Sequence, residues 1–147
     1  MKVRELMHKE PATALMTTSV SDAASIMKER NVGTVIVVDD SRQIRGIITD
    51  RNIALSVAEH KDLHKMNVSD IMSKNVITTN SNDDIETALR IMKENNVRRL
   101  PVKDKGKLVG IVSVADLAIE LKEELDELMD VEDSYAESRK FRYFGDL

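Results

Sequence analysis

One half of this chain is a copy of the other. Displaced by 65 positions, Val3 falls on Val68, Met7 on Met72, Thr13 on Thr78 and Ala23 on Ala88. Ile26-Met27-Lys28-Glu29 falls on Ile91-Met92-Lys93-Glu94, and Asn31-Val32 on Asn96-Val97. One residue then drops out of the second hairpin turn. Beyond it a displacement of 64 sets Gly46 on Gly110 and Asn52 on Asp116. Two copies are too few for a solenoid, so the open apolar face of each is expected to close on the other about a pseudo-twofold axis. A site at one place in the first copy then has a relative in the second.

Apolar periodicity writes the same order of elements into both copies. Val3 to Met7 reads as a helical lead-in and Pro11 to Ala14 as a brief extended piece. Ser19 or Ser21 caps a helix with apolar positions Val20, Ala23, Ala24, Ile26 and Met27, and Asn31 closes it. The β-branched run Val35 to Val38 reads as a buried strand, and Asp39 to Arg42 as a turn. Ile44 to Thr49 pairs back as a hairpin, and a helix follows from Arg51 to about His60. The second copy repeats this: lead-in Val68 to Met72, extended Val76 to Thr78, helix Asp84 to Asn95, and strands Leu100 to Val102 and Leu108 to Val112 around Lys105-Gly106. A last helix from Ala115 carries an apolar stripe through Leu117, Leu121, Leu125 and Leu128 or Met129. The expected divisions are 1–60 for the first repeat, 61–67 for a linker, 68–119 for the second repeat and 120–147 for an acidic helix with an aromatic tail.

Charge follows that division. Residues 120–147 hold ten acids and four bases, while the remainder holds sixteen acids and eighteen bases. An acidic tail on a near-neutral body argues against general nucleic-acid binding. No Cys occurs, which excludes disulfides, thiol catalysis and Cys-type zinc sites and fits a cytoplasmic protein. The start, Met1-Lys2-Val3-Arg4-Glu5, lacks the apolar core of a signal peptide, and no apolar run reaches membrane length. His60 and His64 stand four apart on the expected helix without a third metal ligand, so a solvated face is expected there. No Walker loop, dinucleotide fingerprint or nucleophile motif is present, and an enzyme is not expected. Tyr135, Phe141, Tyr143 and Phe144 either dock on the body or another subunit, or fray.

The chemistry sits where strand gives way to helix. Ser113-x-x-Asp116 reads as a capping box, in which the Ser accepts from the helix and the acid reaches back. The same geometry serves a nucleotide. A helix start presents free N–H groups to an anion, and a carboxylate one turn in can accept from the two vicinal hydroxyls of a ribose.

The motifs N-V-G-T-V-I-V-V-D with G-I-I-T-D-R-N-I, and N-V-R-R-L-P-V-K-D with G-I-V-S-V-A-D-L, carry a resemblance. Over about Val3 to Leu117 the sequence resembles a tandem pair of CBS domains, named after cystathionine β-synthase. The resemblance implies an α/β chain of the α+β type, with two β-α-β-β-α repeats packed through their sheets. It implies a regulatory module whose clefts bind AMP, ADP, ATP or S-adenosylmethionine, and which forms homodimers and signals to a protein partner. In the second copy it assigns Asp116 to the ribose hydroxyls and Ser113 to a phosphate or ribose oxygen. Ile77, Thr78, Arg98 and Arg99 line the base pocket, with Pro101 and Ala115 completing the set. In the first copy Thr49 matches Ser113, but Asn52 stands where the acid belongs. Gly33 and Thr34 replace the two Arg, Arg51 offers a compensating charge, and Ala12 and Thr13 correspond to Ile77 and Thr78. Unequal sites are therefore expected, the Asp116 site being tighter. The alternative is a ligand-free interaction module acting through the last helix and the dimer surface.

Overall fold

The computed structural model describes the backbone of residues 1–145 and the side chains of residues 1–134. The first copy opens with helix α1 (Val3–Leu6) and two short strands, β1 (His8–Lys9) and β2 (Thr13–Ala14). Helix α2 (Val20–Arg30) is capped by Ser19, whose Oγ accepts from the Asp22 N–H at 3.0 Å. Asn31 ends it in the left-handed region at φ 53°. Strands β3 (Thr34–Val38) and β4 (Ile44–Thr49) form the expected hairpin, and α3 (Asp50–Ala58) follows. The second copy holds a 3-10 turn (Val68–Asp70), β5 (Thr79–Asn80), α4 (Ile85–Asn95), β6 (Arg99–Asp104), β7 (Lys107–Ser113) and the long α5 (Val114–Gly145). Lys105 and Gly106 both take positive φ, 50° and 79°, as a two-residue hairpin turn between right-twisted strands demands.

The extended piece expected at Val76 to Thr78 carries no ladder pairing. Pairing starts at Thr79, which faces Val102 of β6. Helix α3 stops at Ala58 and His60 takes φ 60°, so His60 and His64 do not share a helix. The aromatics Tyr135, Phe141, Tyr143 and Phe144 lie outside the described side chains.

The two sheets are not each built from one copy. The three-stranded sheet has the order β2-β3-β4, and the four-stranded sheet the order β1-β7-β6-β5. Strand β1 belongs to the first copy by sequence, yet His8 pairs with Ile111 and Lys9 with Gly110 of β7. The reciprocal contact is a bridge between Ser73 and Ile47 of β4. The lead-ins are thus exchanged. Val3, Leu6 and Met7 complete the core of the second copy, around Ile85, Leu100 and Val112. Val68, Ile71 and Met72 complete the core of the first, around Val20, Val35 and Ile48. A third cluster of Ile36, Val38, Leu108, Ile44 and Ile111 joins β3 and β4 to β7, so the copies pack through their sheets.

Gly46 and Gly110 hold matching positions because a lead-in crosses each. A Cβ on Gly110 would stand 2.9 Å from the His8 carbonyl oxygen and 2.7 Å from Met7 Sδ. On Gly46 it would stand 3.0 Å from the Ser73 carbonyl oxygen. Gly110→Ala is therefore expected to destabilise the fold by about 1–3 kcal/mol, the usual range for overpacking. Urea unfolding measures this, and a loss well below about 1 kcal/mol would show that β1 does not need the close approach.

Candidate functional site

The strand-to-helix junction of the second copy carries the predicted box. Ser113 Oγ accepts from the Asp116 N–H at 3.1 Å. Asp116 Oδ2 in turn accepts from the Ser113 N–H and hydroxyl, both at 2.8 Å. Aspartate is short for this geometry, yet the loop closes. The first copy reproduces it: Asn52 Oδ1 accepts from the Thr49 N–H at 2.9 Å and from its hydroxyl at 3.0 Å. The Asn52 N–H donates to Thr49 Oγ1 at 3.3 Å. Capping consumes one oxygen of Asp116 and leaves Oδ1 for other partners.

Beside that oxygen lies a cavity of about 430 Å³, within the range that holds small ligands. It brings together Ala12, Gly33, Thr34, Arg99, Ser113 and Asp116 among the predicted residues. Transfer of roles within the second copy alone groups Asp116 with Ile77 and Thr78. The cavity instead draws on both copies, because the chain between Lys9 and Thr13 steps from one sheet to the other across it. The pseudo-twofold relation maps Ala12, Gly33 and Thr34 onto Ile77, Arg98 and Arg99 of the second copy.

The remaining predicted residues lie elsewhere. Arg98 and Ala115 line a shallower cavity that shares Arg99 and Ser113. Thr78 lines a third, with Gln43, Ile44, Lys74 and Lys103. Ile77 packs on the core of the second copy, and Pro101 is buried on β6 opposite Ile111. Thr13 pairs with Ile36 in the three-stranded sheet. Thr49, Arg51 and Asn52 line none of these three cavities, and Arg51 is exposed.

Several lining residues were not legible in the sequence. His8, Lys9, Glu10 and Arg30 reach the cavity only because β1 crosses to β7 and α2 ends beside it. His8 Nε2 stands 3.0 Å from Asp116 Oδ1. Arg30 donates to the Glu10 carbonyl oxygen at 2.6 Å. Lys9, Arg30 and Arg99 give the rim a cationic excess over Glu10 and Asp116. Partial burial pushes the Asp116 carboxyl up, but the Ser113 N–H and hydroxyl and the His8 ring outweigh it, so its pKa is lowered overall. No group of three or more His, Cys, Asp or Glu able to hold a metal occurs among the described residues.

Comparison with known proteins places this architecture. The family described as "CBS domain" matches residues 3–59 and 68–123. The chain belongs to the CBS domain family. The CBS domain-containing protein YhcV of Bacillus subtilis is 37% identical over 117 residues, spanning 80% of this chain and 83% of YhcV. The homoserine O-acetyltransferase of Methanococcus vannielii is 33% identical over 116 residues, which is 78% of this chain but 24% of that protein. Among solved structures, the CBS domain pair of protein MJ0100, in complex with 5′-methylthioadenosine and S-adenosyl-L-methionine, is 29% identical with a TM-score of 0.75. The match covers 84% of this chain and 98% of that one.

The lowered pKa of Asp116 has a consequence for stability. A carboxylate whose pKa falls on folding stabilises fully above its unfolded value, and the contribution disappears as pH drops through the folded one. Asp116→Ala also removes the box, for which about 1 kcal/mol is typical. Wild type is expected to outlast Asp116→Ala in urea at pH 7 and to lose the charge-dependent part of that margin as pH falls below 3.8 and through the folded pKa. A margin that does not move with pH would mean that the carboxylate charge contributes nothing.

Proposed function

We propose that this protein is a non-catalytic regulatory module that binds an adenosine-containing ligand in the cavity beside Asp116. One observation carries the reading: the Asp116 carboxylate and the α5 N-terminus face a roomy cleft with a cationic rim. The carboxylate can accept from a ribose diol, and the helix start and the rim suit phosphate oxygens. Ala12 and Ile111 supply an apolar wall for a purine, while the Asp50 carboxylate stands against Gly33. The cationic rim favours AMP, ADP or ATP over S-adenosylmethionine. The ligands of the related MJ0100 pair support the adenosine class as a whole.

The Thr49–Asn52 junction is the weaker site in this proposal. Asn52 keeps an acceptor oxygen but lacks charge, and a hydrogen bond to a neutral acceptor is about half as strong. Binding then acts by favouring one arrangement of the module over another, read by a protein partner or through a homodimer. No helix among the described residues is long and apolar enough to cross a membrane. A cytoplasmic setting and a nucleic-acid-free role complete the proposal.

The second reading, an interaction module, rests on α5. Leu117 is buried, but farther along the same stripe Leu125, Leu128 and Met129 are exposed by 54%, 62% and 50%. Under that reading Asp116→Ala leaves function intact, while removal of residues 135–147 abolishes it.

A thermal-shift screen with AMP, ADP, ATP and S-adenosylmethionine separates the two. Ligand at a hundred times Kd is expected to add about 2.7 kcal/mol of stability. Asp116→Ala is expected to weaken binding about ten-fold or more, the range for losing a hydrogen bond to a charged group. Absence of any shift with all four ligands would leave only the interaction reading.

A further inference from the structure

The oxygen of Asp116 that a ribose needs already has a partner. Oδ2 is committed to the Ser113 N–H and hydroxyl, and Oδ1 faces His8 Nε2 at 3.0 Å. His8 comes from the far end of the sequence, 108 residues away, and is delivered by the pairing of β1 with β7. The contact is open to solvent on one side: the His8 side chain is 70% exposed and that of Asp116 19%. An imidazole in this position occupies the place where a vicinal diol would donate.

The other junction offers a comparison within the same molecule. The same alignment sets Ser73 where His8 stands and Asn52 where Asp116 stands. Among the described residues, Asn52 Oδ1 is engaged only by Thr49. The imidazole is therefore a feature of the Asp116 side and not of the repeat.

We propose that His8 is a built-in competitor for Asp116, a latch that a ribose diol must displace, so that protons and ligand compete at this cleft. This rests on the adenosine reading above and specifies its regulation. Protonated His8 donates a charge-assisted hydrogen bond to Oδ1, whereas the neutral ring keeps at most an ordinary one. Histidine is the side chain whose charge ordinarily changes between about pH 5 and 8. The charged groups around it are Asp116 on α5, Lys9 and Glu10 beside it on the crossing segment, Arg30 at the end of α2 and Arg99 on β6. Of these groups Asp116 is the one in direct contact with the ring. A partly exposed ion pair holds weakly, so the latch is closed a fraction of the time and the apparent affinity falls by that fraction. The expected effect is about three-fold.

Adenosine is the suitable probe, since it carries the diol and no phosphate that titrates in this range. Binding is read from the Ser113 amide resonance, at pH 5.5 and pH 8. Wild type is expected to bind about three-fold more tightly at pH 8. His8→Ala is expected to bind equally at both, with the wild-type affinity of pH 8 or better. With 2′,3′-dideoxyadenosine the wild-type pH slope is expected to vanish, because nothing then contends for Oδ1. An unchanged slope in His8→Ala or with the dideoxy compound, or weaker binding by His8→Ala at pH 8, overturns the latch and leaves the adenosine reading standing. A Ser113 resonance that neither adenosine nor any of AMP, ADP, ATP and S-adenosylmethionine moves in either protein overturns both.

Discussion

The mutual exchange of lead-ins holds this molecule together. Helices α2 and α4 begin with backbone N–H groups that no residue of their own turn can satisfy. The Val20 N–H donates to the Met66 carbonyl at 2.9 Å, and the Ile85 N–H to the Met1 carbonyl at 3.2 Å. The lead-ins are held in return: the Val68 N–H donates to the Thr18 carbonyl at 2.8 Å, and the Val3 N–H to the Asp83 carbonyl at 2.9 Å. Val3 and Val68, both fully buried, then plug the cores they cross into. Neither half carries a complete core, so the two copies behave as one folding unit. Gly46 and Gly110 are the places where backbone must lie on backbone, and a side chain would hold the strands apart.

The exchange also decides what the cleft contains. Because residues 9–13 pass from the four-stranded to the three-stranded sheet, elements of the first copy form one wall and the Ser113–Asp116 junction of the second forms the other. The capping box and the candidate ligand grip share one carboxylate. One oxygen of Asp116 stabilises the helix start, and the other faces the cavity. Division of labour within a single carboxylate leaves a common structural motif one oxygen for the task proposed above. The two junctions share a backbone plan and differ in charge: Asn52 is neutral, and no imidazole reaches it. Similarity of fold between the copies therefore does not carry over to similarity of chemistry.

Much of this was written in the linear order of residues. The duplication set the number of units and their pseudo-symmetry. Alternating apolar patterns placed both hairpins, the αL-ending helices at Asn31 and Asn96 and the long last helix, because those depend on local periodicity and capping. Ser113, Asp116, Thr49 and Asn52 were legible as junction residues, since a hydroxyl three places before an acid or amide is a local signal. Partnership across the chain was not legible. No periodicity tells two-residue strands such as β1 and β5 which edge to join, and a pairing between positions 8 and 111 leaves no mark on nearby residues. Hence the sequence determined by itself which atoms would stand at the strand-to-helix corners. Only the tertiary structure decided which walls face those corners, and that His8 rests on Asp116, because long-range backbone pairing is settled by the joint packing of both cores.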